Sequence, residues 1–156
     1  MSDELDNDDI LEFTTDDQLD LLQSNTLALA LGTISFLRSQ GIPATEWTNE
    51  LGTIFARGWD TEETWTPEDF LDATIINLRA FGGEAIQAEF GDDEATALIA
   101  RFPDVERCAA LGLENVDGDI LFEVITPIAR ACGLRYRWQR DGENVRVTVT
   151  QIGGDQ

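Results

Sequence analysis

The sequence contains no histidine and no lysine: all ten of its basic residues are arginine. Without imidazole the chain cannot build a Ser-His-Asp or Cys-His catalytic group, the usual general base near neutral pH, or a His-bearing zinc or haem site. Without lysine it has no Schiff-base amine and no Walker-type phosphate lysine. Cysteine occurs twice, at Cys108 and Cys132, 24 residues apart and outside any C-x-x-C spacing. That spacing gives neither a metal cluster nor a dithiol redox motif, and both read as small core residues. No run of 18 apolar residues and no basic-then-apolar leader is present, so the expectation is a cytoplasmic chain without a membrane span or a secretory signal. Dinucleotide, phosphate-loop and nucleophile-elbow glycine motifs are also missing.

What the chain has in excess is carboxylate. It carries 31 acidic residues and a net charge of -21, yet 42% of its 156 residues are hydrophobic, enough for one ordinary core without disulfide or metal staples. Nine of the acids fall within the first 20 residues, where no base occurs. The expectation is an acidic, partly disordered leader over residues 1–17 and a single domain over 18–152. Outside the first 20 residues, 22 acids still face the 10 arginines, so phosphate backbones and anionic lipid are repelled and no nucleic-acid or membrane partner is expected.

Apolar periodicity divides the domain into helices and hairpins. A first helix is expected from about Asp17 to Gln40, with Leu19, Leu22, Leu27, Ala30, Ile34 and Leu37 recurring at helical steps and Leu29, Leu31 and Phe36 widening the arc. So broad an apolar circumference suits a central helix or a dimer face. A second helix follows from about Ala44 to Trp59. A third is expected after Thr66, with the hydroxyl as cap, Pro67 in the first turn, and a stop at Gly82-Gly83. The period then changes to two. Ile86, Ala88 and Phe90 are expected on one face of a first strand, which turns at Gly91-Asp92-Asp93 into a second. Asp104 to Leu111 reads as a short helix, and Asp117 to Cys132 as another that Pro127 kinks or splits. The closing hairpin is the clearest: Leu134, Tyr136 and Trp138 alternate with Arg135, Arg137 and Gln139, and Val145, Val147 and Val149 alternate with Arg146, Thr148 and Thr150. The fold class expected is α+β, an antiparallel sheet of about four strands in two hairpins with amphipathic helices on one face.

Two constellations stand out. Arg135, Arg137 and Arg146 fall on one face of the last hairpin, either to keep the sheet soluble or to contact an anion or an acidic partner through the planar guanidinium. Trp47, Phe55, Trp59 and Phe70, with Tyr136 and Trp138, either pack the core or line an apolar pocket between helices and sheet. Carboxylate pairs such as Asp92/Asp93 arise by chance among so many acids, and Asp117-Gly118-Asp119 is too short for a calcium loop, so no metal and no cofactor are expected. An enzyme built from this alphabet would need Asp, Glu, Tyr136 or Cys in a buried setting, so the sequence leans away from catalysis.

From residue 20 to 151 the order of elements resembles the 4-vinyl reductase domain family, whose members include hydrocarbon-binding proteins. The resemblance runs through the leading helices, the strands at Ile86 and Leu98, Phe102-Pro103 before a helix holding Cys108, the Ile120 to Cys132 segment and the Leu134 to Val149 hairpin. Cysteines found around the last hairpin in that family have no counterpart between Asn144 and Gln151. The resemblance implies a domain that encloses a small apolar molecule, often as a homodimer. The expected function is therefore a non-enzymatic small-molecule binding or sensor domain, with an acidic interaction module that engages a basic partner as the alternative.

Overall fold

The computed structural model describes residues 13–153. The acidic leader therefore lies outside the described residues except for its end, and that end is helical. Thr14 caps helix α1 (Thr15–Ser39): its hydroxyl accepts from the Asp17 amide at 3.1 Å, while the Asp17 carboxylate accepts from the Thr14 amide at 3.0 Å. This reciprocal cap starts the helix two residues before the expected Asp17. Helices α2 (Ala44–Ala56) and α3 (Pro67–Ala80) follow. The α3 cap is as expected, with Thr66 Oγ1 accepting from the Asp69 amide and Pro67 in the first turn.

Strands β1 (Glu84–Glu89) and β2 (Glu94–Ala100) form the first hairpin, and β3 (Leu134–Asp141) and β4 (Asn144–Gln151) the second. The four make one antiparallel sheet in the order β1-β2-β4-β3, so the α+β architecture of two hairpins under helices is the one observed. The last hairpin closes at Gly142-Glu143, where Gly142 takes a φ of +64° that a residue without Cβ adopts at no steric cost. In β1 the expected alternation fails. The register shifts between Ala85 and Gln87, so Ala85 and Ala88 oppose Ile99 and Ala97, while Ile86 turns outward. A bulge adds one residue and so reverses which face the side chains beyond it occupy.

Between the hairpins run α4 (Val105–Ala110), α5 (Asn115–Asp119), a 3-10 turn (Ile120–Val124) and α6 (Ile125–Ala131). Pro127 thus splits the expected long helix rather than bending it, and sits within the first turn of α6, where a missing amide proton costs no helical bond. Helix α2 crosses this segment so closely that a Cβ on Gly52 would stand 2.2 Å from the Val124 carbonyl oxygen.

The core lies between the helices and the inner face of the sheet. Phe70, Leu71 and Leu78 of α3, Phe122 of the 3-10 turn and Ile128 of α6 meet Ile99, Val145, Val147, Val149 and Leu134 of the strands. Cys108 and Cys132 are buried there as free thiols. One polar pair penetrates it. Asp119, 3% exposed, receives Arg140 Nε at 2.7 Å and Nη2 at 2.5 Å, and the two-pronged contact offsets the desolvation of the carboxylate.

Candidate functional site

The six aromatic residues expected to line a pocket do not gather round one space. Phe70 is sealed in the core, and Trp59 leans on it with ring centroids 5.1 Å apart and on Trp65 at 5.2 Å. Trp47 is half-buried against the core, and Phe55 is exposed on α2. A second aromatic chain runs Phe81, Phe102, Phe122, Trp138, with neighbouring centroids 5.8, 5.2 and 5.8 Å apart. In both groups the rings pack against other rings, the offset and edge contacts that aromatic quadrupoles favour.

Tyr136 and Trp138 instead border a groove of about 620 Å³, open to solvent, together with Arg137 and Arg146. The lining comes from both faces of β3: Gln139 and Thr148 accompany the arginines on the outer face, and Glu123 and Thr126 accompany the aromatics on the inner one. Glu123 anchors the inner end. Its carboxylate accepts from Trp138 Nε1 at 2.7 Å and from the Thr126 hydroxyl at 3.2 Å. The Tyr136 hydroxyl is buried and has no hydrogen-bond partner among the described residues. Burial, and secondarily the Glu123 charge, push its pKa well above the ordinary phenol value. Of the three arginines expected to share a face, Arg135 and Arg137 point to solvent and Arg146 is held by Asp141 at 2.7 Å. The register Arg137↔Thr148 and Gln139↔Arg146 places all three on the outer side of the sheet, as the alternation required. The groove is lined largely by polar and charged groups, unlike the apolar enclosure expected.

A different feature emerges on α1. Its inward face is Leu27, Leu31 and Ile34, all buried. On the opposite side Leu22 is 64%, Leu29 75% and Phe36 61% exposed, in line at seven-residue steps. Leu19 joins them, and Thr26 and Thr33 fill the places between. Both threonine hydroxyls donate back into the helix, Thr26 to the Leu22 carbonyl at 2.7 Å and Thr33 to the Leu29 carbonyl at 2.9 Å, which satisfies the hydroxyls within the helix itself. Between Asp20 and Arg38 the sequence has no charged residue, a run of 17 neutral positions in a chain that is 26% charged. Gly32 lies beside this line, and a Cβ there would meet no atom within 4 Å. Glycine inside a helix costs about 0.5–1 kcal/mol relative to alanine, and among the described residues no atom stands where its Cβ would be.

Sequence periodicity placed Leu19 and Leu22 in the same apolar arc as Leu27 and Ile34. The seven-residue step and the absence of charge were the signals available for separating the two faces. Among the described residues no three acidic or thiol side chains cluster as metal ligands, and no helix is long and apolar enough to cross a membrane. Comparison of the chain with protein-family models, with curated proteins and with solved structures finds no match in any of the three.

Proposed function

We propose that this chain is a non-enzymatic protein-interaction domain whose docking surface is the outward face of α1. The observation that carries the reading is the exposed line of Leu22, Leu29 and Phe36 within a neutral stretch of an otherwise strongly acidic chain. Single exposed leucines are ordinary, but a contiguous apolar strip is a common mark of an interaction site. The net charge of -21 weighs against a phosphate backbone or an anionic bilayer as the partner and leaves a protein surface that is apolar where α1 meets it.

A photoreactive phenylalanine at position 29, with position 62 in an exposed loop as control, tests this in the native cell. One discrete protein adduct from position 29 and none from position 62 is the expected outcome. Equal, diffuse labelling from both positions would remove the reading.

A small-molecule role, which the resemblance to vinyl reductase domains implies, has one supporting observation: the buried, unpartnered Tyr136 hydroxyl beside the groove. Native mass spectrometry beside a denatured sample separates the two readings. A mass excess lost on denaturation would favour the groove.

A further inference from the structure

Resting on that reading of α1, we infer that the partner is a second copy of this chain, its α1 laid antiparallel on the first about a twofold axis near Leu27 and Ala28. The outward positions Leu19, Leu22, Thr26, Leu29, Thr33 and Phe36 follow one another at steps of three, four, three, four and three, the spacing of a two-helix seam. In the antiparallel register Leu19 meets the partner's Phe36, Leu22 the partner's Thr33, and Thr26 the partner's Leu29. Each threonine thus stands opposite a leucine, so large side chains fill the spaces beside small ones, and the twofold makes the seam complementary to itself.

Charge permits the contact and selects its direction. The 17 neutral residues bury no ionised group when two seams meet. A parallel pair would bring together two helix starts, each holding Asp16, Asp17 and Asp20 within the 20 residues that carry nine of the chain's carboxylates. The antiparallel pair holds these segments at opposite ends. Gly32, beside the seam with open space where its Cβ would stand, leaves room for a second backbone to approach. Six positions of one helix make a seam smaller than the about 800 Å² per partner of a standard interface, so the pair is a weak one that chain repulsion weakens further at low salt.

Sedimentation of the full chain from 2 to 200 µM, in about 50 and 500 mM salt, reads this directly. A monomer–dimer equilibrium that tightens roughly tenfold at the higher salt is expected, with Leu29→Glu monomeric throughout and unchanged in tryptophan fluorescence. Register is read by oxidation. Leu22→Cys combined with Thr33→Cys should give disulfide-linked dimers and Leu22→Cys alone should not, since eleven helical residues hold the two sites about 16 Å apart within a chain. The buried Cys108 and Cys132 stay out of the reaction. A chain monomeric at both salts overturns the proposal, as does dimerisation only after residues 1–12 are removed, which would make the leader the cover of the seam. Cross-linking by Leu22→Cys alone overturns the register. A monomeric chain that still forms a discrete adduct with another protein from position 29 would sink the second copy and leave the interaction domain standing.

Discussion

The two sides of α1 have nearly the same chemistry and opposite roles. Leu27, Leu31 and Ile34 disappear beneath the helix, whereas Leu22, Leu29 and Phe36 look outward. A leucine stabilises a fold by the area it loses to water, about 1.5–3 kcal/mol for full burial, and one that stays wet contributes little. Hydrophobicity along a helix therefore does not rank its residues, and an outward strip that the fold does not use calls for another explanation.

The largest expected effect sharpens that contrast. Leu31→Ala should destabilise the dilute protein by about 2–5 kcal/mol in urea unfolding, because it opens a cavity, and Leu29→Ala should stay within about 0.5 kcal/mol of wild type. Equal losses would break the comparison. A polar counterpart comes next. Arg140→Ala leaves the Asp119 carboxylate buried without its partner, and since Arg140 is itself 29% exposed the expected cost is nearer 2 kcal/mol than the 3–5 of a wholly buried pair, read by the same unfolding curve.

Tyr136→Phe should stabilise by about 1 kcal/mol, because a desolvated hydroxyl without a partner is removed. It should also alter the alkaline limb. Below the ordinary phenol pKa both states keep the proton. Above it the unfolded chain releases its proton first, so stability falls as pH rises toward the raised folded-state value. The variant loses that contribution. Burial raises the Cys108 and Cys132 thiols with the same sign, and their share of the limb remains. Thermal melts between about pH 8 and 12 separate the two. The smallest effect is Gly32→Ala, expected to raise monomer stability by about 0.5–1 kcal/mol while weakening self-association, two readouts of opposite sign from one methyl group.

The parts of the fold that could be read in advance are those where one period dominates. Strict alternation from Leu134 to Trp138 and from Val145 to Val149 specified the last hairpin, its face assignment and the common side of Arg135, Arg137 and Arg146. The Thr66-Pro67 cap carried its own geometry. Helix α1 was less legible, because apolar residues on both sides leave two arcs that periodicity merges into one. The bulge at Ile86 has no local signature in a strand of six residues. Helical spacing brought Trp59 and Phe70 to the same region, but spacing does not say whether a ring will face a void or another ring, and here both meet rings. The link between Glu123 and Trp138 joins residues 15 apart in sequence through a chain reversal, which no pattern encodes.

One measurement bears most directly on whether the outward strip stands apart from the fold: the unfolding free energy of Leu29→Glu beside that of Leu31→Glu, in dilute solution and followed by tryptophan fluorescence. The expected result is a wild-type transition for Leu29→Glu and loss of the folded state for Leu31→Glu. Comparable collapse of both would place the strip within the core of the domain and leave α1 without a surface to offer a partner.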